Sequence, residues 1–288
     1  MRRAAVLKPT CTVLGARGFI GSALLDRLRA EDHEVFAPER DDASIFRRPL
    51  GHAFYCIGLT ADFRSRPFAT VAAHVTLLAE LLQKADFDSL LYLSSTRVYA
   101  GAHETHEQAP LKVDPNDASD LYNLSKLMGE ALCLHGGRAN VRVARLSNVV
   151  GLDTSSENFL SALIREALSG RIMLRSDPRA AKDYIALDEV VSLLPRIAFE
   201  GRERLYNVAS GQNVRAEEIV AQLQALTGCA VESNAVSSGL TFAPIDNTRL
   251  RKEFAYRPCP LRTMLPVLLE RWRTVFPGTP HSHTGVHK

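Results

Sequence analysis

The chain has 288 residues, of which 46% are hydrophobic, and its 35 basic and 32 acidic side chains leave a net charge of +3. The chain can bury a large core, and its basic residues are scattered, so neither a nucleic acid nor a membrane surface is indicated as a partner. No run of about 18 apolar residues and no cleavage pattern occurs, which argues against membrane spanning and secretion. The five cysteines are odd in number and not closely paired, which favours a reducing cytoplasm.

Short apolar runs alternate with helical patterns through the first half of the chain. The runs that predict strands are "CTVLG", "HEVFA", "AFYCIG", "SLLYLSS" and "VRVARLSN". Between them lie longer segments with helical periodicity, such as "FIGSALLDRLRAE" and "FATVAAHVTLLAELLQK". This alternation predicts an α/β fold built on a Rossmann-like, doubly wound parallel sheet with helices on both faces.

After about Gly151 the pattern becomes mostly helical. The segments "ENFLSALIREALSG", "RAEEIVAQLQALTG" and "PLRTMLPVLLERWRTVF" predict helices of a small substrate lobe. We expect a dinucleotide-binding domain over residues 1–150 that also receives 183–208, a substrate-binding lobe over 151–182 and 209–276, and a disordered tail over 277–288.

A glycine-rich turn follows the first predicted strand. In "VLGARGFIG", Gly15, Gly18 and Gly21 are spaced three apart and open a helix. Glycines allow a tight turn and close approach of a pyrophosphate, which the free N–H groups of the helix N-terminus can bind. Three glycines alone are weak evidence, because such turns are common. Their position after the first strand favours a dinucleotide site.

The residues after the second predicted strand bear on the choice of cofactor. Glu39 lies near the spacing at which an acidic residue binds the ribose hydroxyls of NAD. Arg40 and Arg17 would suit the 2′-phosphate of NADP, so NADP stays open. All three could also be residues of a solvated loop. The sequence therefore favours NAD without excluding NADP.

Six segments in order resemble the extended short-chain dehydrogenase/reductase superfamily, in its nucleotide-sugar epimerase/dehydratase group. They are "GARGFIG", "LYLSSTRVYA", "YNLSK", "RLSNVVG", "KDYIALDEV" and "LYNVASG". The resemblance implies an NAD(P)-dependent enzyme that modifies a nucleotide-activated sugar by hydride transfer. The residues expected to bind the cofactor are Gly15, Arg17, Gly18, Phe19, Ile20, Gly21, Glu39, Arg40 and Lys126.

The resemblance also assigns a catalytic set of Ser95, Tyr122 and Lys126. A free tyrosine has a pKa of about 10 and is a poor base at neutral pH. An ammonium one helical turn away favours the phenolate, so Tyr122 could exchange a proton with a sugar hydroxyl or carbonyl. Ser95 would hydrogen-bond the reacting oxygen, with Ser94 and Thr96 as alternatives. A Tyr–Lys pair alone is common on helices, and its context is what favours catalysis.

Three further residues are candidates for contact with a nucleotide-sugar substrate. Thr96 follows the catalytic serine, Asn148 matches an asparagine that contacts the diphosphate, and Arg249 lies where the second lobe often supplies a phosphate-binding arginine. Asn148 could instead cap a loop, and Arg249 could be a surface residue. The spacing in "HETHE" lacks a second ligand cluster, so no metal is expected.

The type of reaction depends on the residues after Ser95. Family members that remove water carry an Asp-Glu pair there, where this chain has Thr96 and Arg97, and an arginine cannot abstract the proton. C4 epimerisation is therefore expected, with reduction of a 4-keto sugar as the alternative. A non-catalytic nucleotide sensor is a remote third reading. A homodimer through the Tyr–Lys helix is also open, because homodimers are common in the family.

Two departures from the family pattern are visible in the sequence. The segment "ASIFRRPLGH" is too short for the usual third strand and its crossover helix, so a trimmed adenine pocket is expected. His74 stands where the next helix often has an asparagine. On an apolar helix it is expected to be a buried, hydrogen-bonded histidine rather than a proton relay.

Overall fold

The computed structural model describes residues 8–60, 62–154, 158–234 and 242–276, so the expected tail 277–288 lies outside the described residues. Its centre is a six-stranded parallel sheet with strand order β2-β1-β3-β4-β5-β9. The strands are β1 Cys11–Leu14, β2 Val35–Phe36, β3 His52–Tyr55, β4 Ser89–Ser95, β5 Val141–Leu146 and β9 Leu205–Val208. All five runs expected to be strands in the first half of the chain are strands of this sheet.

Helices cover both faces of this sheet. On one face, α1 (Phe19–Ala30) and α6 (Leu187–Glu200) pack on a core that includes Leu24 and Leu194. On the other face, α3 (Leu77–Lys84) and α4 (Asp120–His135) pack on a core that includes Leu81. The predicted doubly wound, Rossmann-like fold is therefore confirmed.

The helix before α3 is not regular throughout. It begins as α2 (Pro67–Val71), passes through a π-helical turn at Ala72–Thr76, and continues as α3. Pro67 stands at the first helical turn, where its missing N–H costs no hydrogen bond. Such π-turns occur often at functional sites, and this one contains His74.

The central sheet ends at β2 on one side, without a further strand beyond it in the described residues. β2 has two residues and forms the edge next to β1, and a 3-10 helix at Ala43–Phe46 leads directly to β3. The usual third strand and crossover helix are missing from this edge, as the short segment indicates.

The second lobe contains two small sheets, ordered β10-β8-β6 and β11-β7, and a core around the buried Trp272. Its strands are β6 Asn148–Val150, β7 Arg171–Leu174, β8 Ala181–Ala186, β10 Asn213–Arg215 and β11 Ala230–Ser233. Its helices are α5 Phe159–Leu168, α7 Ala216–Thr227 and α9 Leu261–Val275. All three helices correspond to predicted segments.

The helix α8 (Thr248–Phe254) differs from the expected domain division. Sequence reasoning places residues 209–276 in the substrate lobe, whereas Leu250, Phe254 and Tyr256 pack in the core between the central sheet and α6. The chain thus returns to the first lobe before α9. Across the described residues, no helix is both long and apolar enough to cross a bilayer, and all five cysteines are unpaired.

Candidate active site

The glycine turn joins β1 to α1, and its main-chain atoms pack so closely that they leave little room for side chains. Gly15 has a φ of 82°, and its carbonyl accepts a hydrogen bond from the Gly18 N–H at 2.9 Å. A Cβ on Gly21 would lie 2.2 Å from the Gly15 oxygen, so only glycine fits there. Helix α1 has no side-chain cap and no acidic residue in its first turn. Its first N–H groups are therefore available to a phosphate.

The other residues expected near the cofactor lie around this turn. Phe19 and Ile20 begin α1, where their N–H groups belong to the free first turn, while the Phe19 ring lies against Gly151 and Ile20 packs on the core. Arg17 forms an exposed ion pair with Glu39, which follows β2. Arg40 is exposed next to Glu39. The structure thus brings Arg17 and Glu39 together near the glycine turn, and their contact with a ribose stays a prediction.

Ser95 and Tyr122 meet at the carboxyl end of β4. Ser95 is the last residue of β4, and Tyr122 lies in the first turn of α4 with 5% of its surface exposed. Burial raises the pKa of Tyr122, while a hydrogen bond with Ser95 and the positive charge of Arg97 act to lower it. Ser95 is the residue that contacts Tyr122. Its neighbour Ser94 instead donates to Glu130 at 2.6 Å.

Lys126 is buried one turn after Tyr122. Its Nζ donates to the Leu93 carbonyl oxygen at 2.8 Å and lies 6.0 Å from the centroid of the Tyr122 ring. Burial lowers the pKa of Lys126 to about 7, although the charge of Glu130 acts in the opposite direction. The support of the phenolate by Lys126 stays a prediction. Arg97 is a further cation whose charge lowers the pKa of Tyr122.

The segment that follows β3 connects the two halves of the site. A Cβ on Gly15 would lie 3.0 Å from the main chain of Cys56 and Ile57. A Cβ on Gly58 would lie 3.6 Å from Lys126 Nζ. The glycine turn and the Lys126 ammonium are therefore separated by this one segment, at the carboxyl edge of the sheet where ligands of such folds bind.

His74 stabilises this arrangement from the π-helical turn. Its Nε2 accepts a hydrogen bond from the Leu59 N–H at 3.1 Å, so the ring proton is on Nδ1, which lies 2.8 Å from Ser125 Oγ. Ser125 in turn donates to the Tyr122 carbonyl oxygen at 2.8 Å. The ring also meets that of Tyr122 edge-on at 5.4 Å. His74 is thus a buried, hydrogen-bonded residue that links the β3 segment to α4.

Protonation of His74 should destabilise the fold at acidic pH. Burial, together with the charge of Lys126, lowers the pKa of His74 from 6.5 to about 3. Below pH 6.5 the unfolded chain binds a proton that the native chain does not, so stability is full above pH 6.5 and falls by up to about 1.4 kcal/mol per pH unit down to about pH 3. Urea unfolding between pH 7 and pH 4 tests this. The His74→Gln variant should show a smaller slope, and equal slopes would contradict the assignment.

The substrate candidates Thr96 and Asn148 lie at the same edge of the sheet. Thr96 is buried in the short helix that directly follows Ser95. Asn148 begins β6, just after β5 ends, and its Nδ2 donates to the Asp183 carbonyl oxygen at 2.7 Å. The Asn148 amide therefore ties β6 to β8.

Arg249 does not lie where it was expected. Its Nη1 donates to the carbonyl oxygen of Leu205 at 2.6 Å, and Leu205 is the first residue of β9. Its guanidinium also lies within 4.0 Å of the carboxylates of Glu107 and Glu203, at 3.7 and 3.8 Å. Arg249 thus lies at the amino edge of the sheet, opposite the carboxyl edge where Ser95 and Tyr122 meet. It is therefore not part of the candidate site.

Lys182 is a cation that sequence reasoning did not select, although it stands in the quoted segment "KDYIALDEV". It lies on β8 beside Asp183. Within the described ranges its ammonium has no hydrogen-bond or ion-pair partner, and it lies 5.7 Å from the centroid of the Phe159 ring. Burial and the charge of Arg97 lower its pKa. Its place in the quoted segment, near the start of β8, was the available signal.

The "HETHE" loop serves a structural purpose. Thr105 Oγ1 donates to the Pro244 carbonyl oxygen at 2.7 Å, and the buried Glu107 accepts from the Asn207 N–H at 3.1 Å. In the described part of the chain, no group of three His, Cys, Asp or Glu side chains is arranged to hold a metal ion.

A model of the NAD-dependent epimerase/dehydratase family matches residues 11–209, which is more than half of the chain. The chain belongs to this family. The resemblance inferred from the motifs is thereby confirmed.

Relatives of this chain include several members with known names. A UDP-glucose 4-epimerase of Mycolicibacterium smegmatis is 26% identical over 85% of this chain and 92% of its own length. A GDP-L-fucose synthase of Sinorhizobium fredii is 26% identical over 56% of this chain and 59% of its own length.

Solved structures share the fold. RMD from Pseudomonas aeruginosa, complexed with NADPH, is 21% identical and superimposes with a TM-score of 0.77 over 92% of this chain and 100% of its own. MoeE5, in complex with UDP-glucuronic acid and NAD, is 21% identical with a TM-score of 0.78 over 92% and 99% of the two chains. At this identity the likeness supports the Rossmann-like fold.

Proposed function

We propose that this protein is a cytoplasmic, NAD(P)-dependent enzyme that epimerises C4 of a nucleotide-activated sugar. The observation that carries the proposal is the placement of Ser95, Tyr122 and the buried Lys126 at the carboxyl end of β4 and the start of α4, one segment away from the glycine turn. Two of the named relatives, a UDP-glucose 4-epimerase and a GDP-L-fucose synthase, are nucleotide-sugar enzymes. The unpaired cysteines fit a reducing compartment.

The residues of the turn fit a dinucleotide. The exclusion of a Cβ at Gly21 and the uncapped first turn of α1 leave main-chain N–H groups for the pyrophosphate. Glu39 and Lys126 would hold the two riboses, with Arg17 and Arg40 beside the adenosine. Bound NAD(P) supplies the hydride acceptor and donor that side chains lack.

Tyr122 is the residue that we propose transfers the proton. Its pKa has to fall before it can act as a base, and Ser95 and Arg97 are the groups of this chain that act in that direction. Tyr122 would take the proton from the C4 hydroxyl as hydride leaves that carbon. It would return the proton when hydride comes back to the other face of the 4-keto sugar.

The diphosphate of the substrate is assigned to Lys182 instead of Arg249. Lys182 has a partly desolvated ammonium with no anionic partner in the described residues, whereas Arg249 is held by Glu107 and Glu203. Asn148 and Thr96 remain proposed neighbours of the substrate. An ammonium that lacks a carboxylate partner is suited to a phosphate ligand.

Reduction of a nucleotide 4-keto sugar is the second candidate. Arg40 is exposed and has no ion-pair partner in the described part of the chain, so it is available to the 2′-phosphate of NADPH. Glu39 favours NAD, which an epimerase retains through its cycle, and for this reason epimerisation stands first.

The two candidates differ in where the hydrogen at C4 originates. The NAD-loaded protein would be incubated in D2O with UDP-, GDP- and dTDP-hexoses and the products followed by NMR. C4 epimerisation predicts a new epimer with protium at C4, because the same hydride returns. A reductase would form no epimer and would consume stoichiometric NAD(P)H with a 4-keto sugar nucleotide. Binding of the sugar nucleotides without either reaction would favour a sensor.

We propose that a second copy of the chain covers the outer face of α4. Phe68 is 89% exposed and Met128 is 54% exposed, on the adjacent helices α2 and α4. Exposed large apolar side chains on neighbouring helices are typical of an interface. The family resemblance also points to the Tyr–Lys helix, which is α4.

The dimer is tested by Met128→Glu, which places a charge on the proposed interface. We expect the wild type to have twice the mass of one chain by light scattering and the variant to dissociate with at least a tenfold weaker dimer. Val267→Glu changes a residue that is 57% exposed on α9 and should leave the dimer intact. A monomeric wild type, or a variant that stays dimeric, would refute the interface.

A further inference from the structure

Arg97 is placed beside the acid/base residue with its hydrogen-bonding capacity partly unused. Its guanidinium lies 5.9 Å from the centroid of the Tyr122 ring and 5.5 Å from that of Phe63. Its Nη2 reaches the Ser119 carbonyl oxygen at 3.5 Å, the limit of a hydrogen bond. Its Nε is excluded from solvent and has no hydrogen-bond partner among the described residues. A buried donor without an acceptor costs free energy, so this position calls for an anion.

The surroundings of Arg97 are positively charged. Arg64 lowers the pKa of Arg97, and Arg97 lowers that of Lys182, in each case after the larger effect of burial. Asp117 and Asp120 act on Arg97 in the opposite direction, yet no carboxylate in the described residues forms an ion pair with it. Neither Arg97 nor Lys182 has a carboxylate partner among the described residues. The positive charge of these two side chains can therefore be balanced by an anionic ligand.

The two cations are suited to different parts of one substrate. Of Arg97 and Lys182, Arg97 is the residue whose charge lowers the pKa of Tyr122. We therefore place Arg97 at the reacting end of the sugar. Lys182 stands on β8 in the second lobe and is left for the diphosphate. A group that reaches Arg97 is therefore attached close to the reacting carbon.

We propose that Arg97 selects nucleotide sugars that carry a carboxylate on the carbon adjacent to the reacting C4, as hexuronic acids do with the C6 carboxylate on C5. This inference rests on the proposed function and specifies its substrate class. A carboxylate can accept two parallel hydrogen bonds from a guanidinium, including the one that Nε now lacks. A neutral hydroxymethyl group would leave the cation desolvated and unmatched.

The test compares sugars that differ only at C6. The NAD-loaded protein would be titrated by calorimetry with UDP-glucuronate against UDP-glucose, and with GDP-mannuronate against GDP-mannose, at one fixed salt concentration. We expect the acidic member of the accepted pair to bind about tenfold tighter or more. Arg97→Gln should reduce this preference to about twofold or less, and Arg97→Lys should keep part of it because the charge remains.

Arg64→Gln is the matched control. Arg64 lies over the same Phe63 ring at 4.5 Å and donates to Ser119 Oγ at 2.8 Å, but its side chain is at the surface. This variant should keep the preference for the acid. NAD affinity, measured in every variant, reports whether the fold is intact.

The outcomes distinguish failure of the carboxylate inference from failure of the proposed function. Equal affinity of the wild type for both members of a pair overturns the carboxylate inference and leaves the proposed function standing. A preference that persists in Arg97→Gln also overturns the inference. Failure of every nucleotide sugar to bind the NAD-loaded protein overturns the proposed function and this inference together.

Discussion

Replacing Tyr122 by phenylalanine should lower turnover by about 10²- to 10⁴-fold, the range that a positioned general acid/base contributes. The change removes only the hydroxyl that contacts Ser95. The ring, which packs against Phe63 and His74 at 5.5 and 5.4 Å, stays in place. Cofactor affinity and thermal stability should therefore change little. Steady-state rates, together with a titration of NAD(H), measure both parts of this prediction.

A second buried tyrosine provides the control for this change. Tyr206 is fully buried, and its hydroxyl donates to Glu253 at 2.8 Å, away from the site. Tyr206→Phe removes the same atom and should keep most of the activity. Near wild-type turnover in Tyr122→Phe would contradict the role of Tyr122 and would favour the sensor reading.

Replacing Arg145 by leucine should lower the free energy of unfolding by about 3–5 kcal/mol, because the change leaves a buried carboxylate without its cation. Glu130 and Arg145 have side chains that are 4% and 5% exposed and meet at 2.6 Å. Glu130 lies on α4 one turn after Lys126, and Arg145 lies on β5. Arg145 also donates to the Tyr99 hydroxyl at 2.6 Å. The pair thus anchors α4 to the sheet.

Urea denaturation measures this loss, and two further variants identify its cause. Combining Arg145→Leu with Glu130→Leu removes both charges, so the double variant should be clearly more stable than Arg145→Leu alone. Arg171→Leu breaks the exposed pair with Glu232 and should cost less than about 1 kcal/mol. A loss below about 1 kcal/mol in Arg145→Leu would show that burial of this pair does not matter to stability.

Local patterns were sufficient to predict the framework of the molecule. The five strands of the first half and the glycine turn depend on short runs of sequence, as does the placement of Ser95 and Tyr122 at strand and helix ends. Even the lack of the usual third strand and crossover helix before β3 followed from the length of that segment. In each case the deciding information lies within about ten or twenty residues of chain.

Side-chain contacts between distant segments could not be predicted in the same way. Arg249 pairs with the Leu205 carbonyl oxygen and Glu107, which lie 44 and roughly 140 positions away along the chain. In the sequence, Arg97 was informative only because it stands where dehydratases have a carboxylate. Its closeness to Tyr122 and Lys182 could not be predicted, since it depends on how β4, α4 and β8 meet. The packing of α8 on the first lobe was missed for the same reason. Such contacts depend on tertiary packing, which sequence spacing does not report.

We propose that the glycine turn and Lys126 hold a dinucleotide beside Tyr122, and the rest of the proposed chemistry depends on it. The most direct test is to denature the purified protein and identify the released nucleotide by chromatography and mass, followed by a titration of any empty fraction with NAD(H) and NADP(H). We expect about one NAD per chain, or saturable binding of one of these dinucleotides to the empty protein. A protein that releases no dinucleotide and binds none of the four would contradict the account.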